Sequence, residues 1–309
     1  MDVTERWYRA FAEHTAPTSP LYEALSLLVA GDAELIARLS VLPEPKRQPN
    51  LLFGATRYLD GPVESTSDWR EWVLSRWDEV VAVILAHRTQ TNETNRCAAL
   101  LPVLSQVDGP IALLEVGASA GLNLYPDRYR YRYGTHELGD GPVLLECEPR
   151  GDVPLPKRLP EIVWRAGLDL NPLDIRDEEV LRWLTALVWP EHHERRTRLH
   201  AAADIVRADP PRLVQGDMLT DLRALAAQAP AGATLVVQHS AALAYVVDAE
   251  ARKGFAATVT SLPGHWIALE SPGVVPGTEV EADVNTEVVS MDGRIMGFSD
   301  SHGRWIGWP

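Results

Sequence analysis

Residues 113–124, with the sequence LLEVGASAGLNL, constrain the fold more than any other stretch of the chain. A run of apolar residues ends in Glu115 and Val116, and a turn of small residues from Gly117 to Gly121 follows at once. A short apolar run bounded by glycine is typical of a buried parallel strand, and such strands present a ligand-binding loop at their carboxyl end. The stretch therefore predicts a parallel α/β sheet with a binding loop after its first strand.

The first 108 residues carry helix signals instead. Ser19 followed by Pro20 is typical of a helix start. Further helix starts are predicted at Asp32, about Asn50, Asp68 and about Asn92. From Ile111 onward, short apolar runs alternate with helical stretches, which is typical of an α/β sheet. We therefore predict a helical N-terminal subdomain over residues 1–108 and an α/β domain over residues 109–309.

The predicted strands of the α/β domain are 111–116, 162–169, 212–215, 233–238 and 257–262. A β-hairpin formed by 129–134 and 142–148 is predicted as an insertion near 129–148. The tail alternates apolar and polar residues around Asp292-Gly293 and His302-Gly303, which are both plausible turns. The sheet is therefore expected to close with an antiparallel C-terminal edge.

Charge and composition limit the partners that we expect. The 29 Lys and Arg residues against 43 Asp and Glu residues give a net charge of −14, which is unfavourable for binding phosphate backbones or anionic membranes. No segment has the length and apolar character of a membrane span or of a signal-peptide core. We therefore expect a cytoplasmic protein with a small-molecule substrate and without nucleic acid or membrane as partner. The sequence leaves the oligomeric state open.

Two chemistries fit the glycine turn. GASAG matches the G-x-S-x-G pattern that exposes a catalytic serine, here Ser119, on a turn between strand and helix. A serine hydrolase of that kind also needs sheet strands before the turn, where this chain has helix signals. The alternative is a loop that cradles a nucleoside cofactor, with Glu115 at the strand end and small residues where the backbone approaches the ligand.

Later strand ends favour the cofactor loop. Asp169 ends the second predicted strand, Asp217 follows the third, and Gln238-His239-Ser240 ends the fourth. Ligands of open α/β sheets bind beyond the carboxyl ends of the strands. Polar groups that recur at these ends therefore predict one shared binding site.

These residues carry two resemblances. The strings EVGASAG, GLDLNP, QGDM and VVQHS, followed by the antiparallel tail, resemble the Rossmann-like fold of class I S-adenosylmethionine-dependent methyltransferases over residues 109–309. The whole chain, with its strings EVGASAGLNLYPDRYRYRYG and VWPEHHERRTRL, is similar to the uncharacterised bacterial family called domain of unknown function 2332. The second resemblance is the closer one, and it carries no established activity.

The methyltransferase resemblance implies a mainly parallel, Rossmann-like sheet and S-adenosylmethionine as cofactor. Glu115 and the turn would face the amino-acid end of the cofactor, Asp169 would accept hydrogen bonds from the ribose, and Asp217 with Met218 would flank the adenine. The implied cofactor-binding residues are Glu115, Gly117, Ala118, Ser119, Gly121, Asp169, Asp217 and Met218. If residues 142–148 form the second strand instead, Glu148 becomes the ribose ligand.

Other side chains are candidates for the substrate side. His239, at a strand end beside the crevice, is the candidate general base, because imidazole titrates near neutral pH. The candidate substrate-pocket residues are Asn92, Glu93, Arg96, His265 and Trp266. The histidines around WPEHHERRTRLH lack the H-E-x-x-H order of a zinc helix, so no metal site is predicted.

The sequence thus supports three hypotheses. The first is S-adenosylmethionine-dependent methyl transfer to a small organic molecule. The second is a serine hydrolase with Ser119 as nucleophile. The third is a non-catalytic nucleoside-binding or scaffold protein that shares the fold.

Overall fold

The computed structural model describes residues 2–62, 65–283 and 285–308. The chain divides into two compact units, one formed by Met1–Thr91 with Arg176–Thr197 and the other by Asn92–Ile175 with Arg198–Pro309. Within the described residues the first unit is helical, and the strands belong to the second.

The first unit has helices at the starts predicted from Ser19, Asp32 and about Asn50, and it also has helices that begin at Val3 and Trp77, which were not predicted. Their bounds are α1 Val3–Thr15, α2 Pro20–Gly31, α3 Ala33–Ser40, α4 Pro49–Tyr58, α5 Thr66–Ser75, α6 Trp77–Ala86 and α8 Glu178–Leu187. Ser19 caps α2 by accepting a hydrogen bond from the N–H of Tyr22, and Asp32 caps α3 through the N–H of Glu34. The helix predicted from Asp68 starts earlier, because Ser65 is its N-cap. It also ends at Ser75, and α6 follows.

The second unit contains the sheets. Its helices are α7 Arg96–Leu104, α10 Leu222–Ala226 and α11 Ala249–Thr260, and α9 His193–Ala208 crosses the boundary between the units. Its strands are β1 Ile111–Val116, β2 Arg130–Tyr133, β3 His136–Leu138, β4 Leu144–Glu146, β5 Glu148–Arg150, β6 Ile162–Asp169, β7 Arg212–Gln215, β8 Thr234–Ser240, β9 His265–Glu270, β10 Thr286–Met291, β11 Arg294–Asp300 and β12 Trp305–Gly307.

A large, mostly parallel sheet organises this unit. Among the described residues it has nine strands in the order β5-β12-β11-β10-β9-β8-β1-β6-β7. β7, β6, β1, β8 and β9 are parallel, whereas β10, β11 and β12 pair in antiparallel fashion. The antiparallel C-terminal segment is thus present, although the outermost strand, β5, pairs in parallel with β12.

Two strand predictions are wrong. Residues 257–262 end helix α11 rather than forming the fifth strand, which is β9. Their β-branched residues resemble a strand, but Phe255 and Val259 are four residues apart and both buried, as on one face of a helix. The predicted hairpin between 129–134 and 142–148 is also absent from this described segment. β2 pairs with β4 in parallel and forms its hairpin with β3 instead.

Candidate functional site

Strand register decides which side chains at the centre of the sheet share a face. Glu115 of β1 lies opposite Gln238 of β8 in the parallel ladder. Because successive side chains of a strand point to opposite faces, Glu115, Gln238 and Ser240 lie on one face and His239 lies on the other. Arg96, the first residue of α7, donates to the carbonyl oxygen of Ser240 at 3.2 Å and also reaches the side-chain Oγ of Ser240 at 3.5 Å. We therefore call the side of Glu115 and Ser240 the α7 face of the sheet.

The opposite side is the α11 face. The rings of His239 and Phe255, a residue of α11, have centroids 5.7 Å apart. An apolar cluster that includes Leu114, Val237 and Leu225 covers this face. Residues 115 and 238–240 were all predicted to line one crevice, and the pleat divides them between the two faces.

The turn after β1 has a left-handed backbone at several positions. The φ angle is +71° at Gly117, +50° at Ser119 and +74° at Gly121. The N–H of Ser119 donates to Oδ2 of Asp169 at 2.8 Å, which joins the ends of β1 and β6. Asn92 donates from its amide to Oγ of Ser119 at 3.0 Å. The structure therefore brings the predicted residues Asn92, Ser119 and Asp169 together.

Packing within the protein requires the glycines of this turn. A Cβ atom at Gly117 would lie 2.5 Å from Cβ of Ala242, and one at Gly121 would lie 2.9 Å from Cγ of Pro211. Real Cβ atoms do not approach other heavy atoms this closely. The glycines thus permit close contact with neighbouring loops, and they are not by themselves evidence of space for a ligand.

We expect Gly117→Ala to lower the free energy of unfolding by about 1–3 kcal/mol more than Gly109→Ala, because only the first variant adds a steric clash. Gly109 has a φ of +76° with no atom within 4 Å of its added Cβ, so it isolates the backbone strain. Urea denaturation measures both variants. Adding Ala242→Gly to Gly117→Ala should recover the difference, and equal effects of the two single variants would contradict the packing account.

Glu115 is the most unusual side chain at the turn. It is 3% exposed, and its Oε2 atom has no hydrogen-bond partner among the residues that the structure describes. Burial raises the pKa of Glu115 to about 8, although the Asn123 amide and the Arg96 guanidinium lower it. A buried carboxyl group with an unused oxygen can receive a ligand that brings a positive charge or a hydrogen-bond donor.

Asp169 and Asp217 follow the next strands, as predicted. Besides Ser119, Asp169 accepts a hydrogen bond from the N–H of Asn171 through Oδ1 at 2.7 Å. Asp217 accepts from the N–H of Leu219 at 2.8 Å. The N–H of Gly216 donates to the carbonyl of Asp169, so the two loops are adjacent. Both carboxylates thus shape their loops, and each oxygen of a carboxylate can accept a further hydrogen bond.

Two other residues proposed for the cofactor differ in their surroundings. Met218 is half-buried and packs against the apolar cluster of the α11 face. Glu148 starts β5, at the edge of the large sheet opposite to β7. Because six strand spacings separate β5 from β1, Glu148 is remote from the glycine turn, and the alternative that made it the ribose ligand is wrong.

Residues 92–96 reach the strand ends through polar contacts. Helix α7 starts only at Arg96, so residues 92–95 precede the helix that was predicted from about Asn92. Arg96 also donates from Nε to the carbonyl of Ser301 at 2.8 Å. Glu93 is buried and pairs with Arg198 at 3.3 Å. Asn92 and Arg96 thus contact the carboxyl edge of the sheet, and the role of Asn92, Glu93 and Arg96 in a substrate pocket stays a prediction.

His239 is part of a buried chain of hydrogen bonds. It is 1% exposed, its Nε2 accepts from the indole N–H of Trp266 at 2.9 Å, and its Nδ1 lies 2.6 Å from Oε1 of Glu270. Since Nε2 accepts, the hydrogen on Nδ1 is the one that reaches Glu270. Both ring nitrogens are engaged on the α11 face. The structure therefore contradicts the prediction that His239 serves as a substrate-facing general base.

Glu270, which the sequence analysis missed, organises the loop after β8. Its carboxylate accepts hydrogen bonds from the N–H groups of Ala242 at 2.8 Å, Leu243 at 2.9 Å and Ala244 at 3.3 Å. Burial raises the pKa of Glu270, but hydrogen bonds from His239 and from the backbone N–H groups of Ala242 and Leu243 keep it below its ordinary value. The sequence signal that could have identified Glu270 is the one used for Glu115, namely an acidic residue at the end of an apolar run. Residues 265–270, HWIALE, have this pattern.

His265 and Trp266 lie at the amino end of β9, because this strand occupies 265–270. β9 is parallel to β8, so its first residues are at the edge away from Ser240. Nδ1 of His265 is 2.9 Å from Oδ2 of Asp292 in the β10–β11 turn. The prediction that His265 and Trp266 wall a substrate pocket at the carboxyl edge is therefore wrong.

The requirements of a serine hydrolase are not met around Ser119. Its hydroxyl is hydrogen-bonded to the Asn92 amide rather than to an imidazole. Residues 2–62 and 65–107 contain no strand in the described structure that could precede the turn. In the described part of the chain, the hydroxyl of Ser119 is thus hydrogen-bonded to no imidazole or carboxylate that could serve as its general base.

Membrane-spanning helices and metal-binding clusters are both absent from the described part of the chain. None of its described helices is long and apolar enough to cross a membrane. Residues 2–62, 65–283 and 285–308 contain no group of three or more His, Cys, Asp or Glu side chains arranged to hold a metal ion.

A family model described as an uncharacterised protein conserved in bacteria (DUF2332) matches residues 5–308. No curated protein and no solved structure matches the chain.

Proposed function

The chain belongs to this bacterial family, DUF2332, and we propose that it binds S-adenosylmethionine at the ends of β1, β6 and β7 and methylates a small organic molecule. The topology of the sheet supports a nucleotide-type site. Counted along the chain, the parallel strands β7-β6-β1-β8-β9 have the order 3-2-1-4-5. In sheets of this order, ligands bind at the carboxyl edge beside the point where the strand order reverses, which is between β1 and β8, and the proposed site on β1, β6 and β7 borders that point.

The observation that carries the proposal is the buried carboxyl group of Glu115. Its Oε2 lacks a partner in the described chain, and it lies at the end of β1 beside the glycine turn. An acidic group in a low-dielectric site is strongly stabilised by a cation. The ammonium group of the methionine moiety would supply this cation together with N–H donors.

Asp169 and Asp217 suit the nucleoside part of the same ligand. Asp169 uses one hydrogen bond on each oxygen to hold the turn, so acceptor capacity remains for a ribose diol. Asp217, in the adjacent loop, would accept from the adenine amino group. Met218, half-buried next to it, offers an apolar and polarisable surface for the ring.

Bound S-adenosylmethionine would supply an electrophilic methyl group on sulfur. The chain's contribution would be to orient the acceptor on the α7 face and to exclude water. Arg96 and Ser240 flank the carboxyl ends of β1 and β8 on that face. His239 has no part in this proposal, because it belongs to the opposite face.

Calorimetry with S-adenosylmethionine and S-adenosylhomocysteine tests the proposal. We expect both nucleosides to bind, and we expect Asp217→Asn to weaken binding by about tenfold or more through loss of a charged acceptor. The matched control is Asp177→Asn, since Asp177 makes the same kind of local bond, to the N–H of Glu179, in the other unit. Absence of binding to the unmodified protein, or equal weakening by both variants, would contradict the proposal.

A turnover measurement separates the enzyme from a non-catalytic binder. Radiolabelled S-adenosylmethionine incubated with a metabolite extract should yield labelled small molecules if the protein is a methyltransferase. Nucleoside binding without any transfer of label would favour the non-catalytic alternative.

A further inference from the structure

A row of polar side chains continues from Glu115 along the α7 face. Val288 of β10 lies opposite Glu270 of β9, and Glu270 is on the α11 face with His239. Alternation along β10 therefore puts Glu287 on the α7 face, with Glu115 and Ser240. β10 is antiparallel to β9, so its first residues lie at the same edge as the carboxyl ends of β1 and β8. The row Glu115, Ser240 and Glu287 spans three strand spacings, about 14 Å.

Arg96 lies between the two carboxyl groups of this row. It donates to Ser240 in the middle of the row, and its charge acts on both Glu115 and Glu287. Burial and the nearby carboxylates of Glu270 and Asp300 raise the pKa of Glu287, while Ser271 and Arg96 lower it. Asp300 is itself paired with Arg304, so Glu115 and Glu287 share Arg96 as a neighbouring guanidinium group.

Several buried acceptors here lack donors. In the described part of the chain, Oε2 of Glu287, Oε2 of Glu115 and Oδ1 of Asn95 have no hydrogen-bond partner. Asn95 is 2% exposed and next to Arg96 in sequence, and its amide nitrogen donates to the carbonyl of Gly303 at 2.9 Å, which leaves Oδ1 for another donor. Buried acceptors without partners are unfavourable, so they indicate a ligand that brings N–H groups.

From this row we propose that Glu287 binds a cationic amino group of the methyl acceptor, so that the acceptor class is a small organic amine. The assignment rests on the proposed function, because it takes Glu115 as the partner of the cofactor's ammonium group. Glu287 is then a specificity-determining residue some three strands away from Glu115.

The smallest probe of this cation site is methylammonium, with methanol as its uncharged counterpart of similar size. Protein labelled with carbon-13 at the glutamate carboxyl groups is titrated with each probe, with and without S-adenosylhomocysteine. We expect methylammonium to shift the Glu287 resonance saturably, with a dissociation constant in the millimolar range, and methanol to leave it unchanged. Glu287→Gln assigns the resonance and removes the response, whereas Glu281→Gln, an exposed control, retains it.

The outcomes separate this inference from the proposed function. No methylammonium shift at Glu287 in the unmodified protein, or an equal shift with methanol, overturns the amine assignment whatever the variants do. Failure of S-adenosylhomocysteine to bind, with the Glu287 response intact, overturns the proposed cofactor and leaves a cation site. A saturable Glu287 response in the protein saturated with S-adenosylhomocysteine supports both.

Discussion

Replacing Glu270 with alanine is expected to lower the free energy of unfolding by about 3–5 kcal/mol, because each buried donor left without an acceptor costs about 1–3 kcal/mol. The change leaves Nδ1–H of His239 and the N–H groups of Ala242 and Leu243 buried without an acceptor. Guanidinium denaturation measures the loss. Glu250→Ala, which removes an exposed glutamate on α11, is the control and should change stability by less than about 0.5 kcal/mol.

The same carboxylate predicts a dependence on pH. The pKa of Glu270 in the folded protein lies below its ordinary value of 4.5, so its stabilising contribution is present above that value and is lost as the pH falls through the folded pKa. Glu270→Gln should therefore reduce the loss of stability on acidification. A Glu270→Ala effect below about 1 kcal/mol would contradict the anchoring role of this residue.

Replacing Glu115 with glutamine is expected to have two opposite effects, of which the first is on stability. The pKa of Glu115 is about 8 in the folded protein and 4.5 for an ordinary glutamate. Its contribution to stability is therefore full below pH 4.5 and declines as the pH rises to about 8. Glutamine has no charge to desolvate. Glu115→Gln should thus raise the free energy of unfolding by about 2–4 kcal/mol at pH 8, and by little at pH 4.

The second effect of Glu115→Gln is on ligand binding. Binding of an ammonium group requires ionised Glu115, so the affinity for S-adenosylhomocysteine should increase by up to about tenfold per pH unit between pH 6 and 8. Calorimetry across this range measures it. Methylthioadenosine, which lacks the amino-acid part, should bind without this dependence, and the variant should lose it. A pH-independent affinity of the unmodified protein would show that Glu115 does not meet the ammonium group.

Both predictions depend on acidic residues that end apolar strands. IALLEV in β1 and HWIALE in β9 have the same pattern, and both glutamates are buried. They differ in the hydrogen-bond partners of their carboxyl groups. Glu270 is satisfied by backbone N–H groups and His239, whereas Glu115 retains an unpartnered oxygen in the described structure. Glu270 therefore supports the loop after β8, and Glu115 is available for a ligand.

The sequence by itself determined the local elements of this protein. β1, β6 and β7 have the predicted bounds, and Ser19 and Asp32 cap helices as predicted, because apolar runs and capping residues act over a few neighbouring positions. The carboxylates at strand ends could be found in the same way. Asp169 and Glu115 lie at the carboxyl edge because parallel strands all end there.

Only the tertiary structure decided which faces and partners these residues have. The position of His239 at a strand end predicts a side chain that faces the crevice, but strand register turns it towards Glu270 and Trp266. Glu287 joins the row of Glu115 only because β10 is antiparallel to β9. Strand pairing brings together residues that are distant in the chain, and a side chain's face depends on that register, so patterns of neighbouring residues do not encode it.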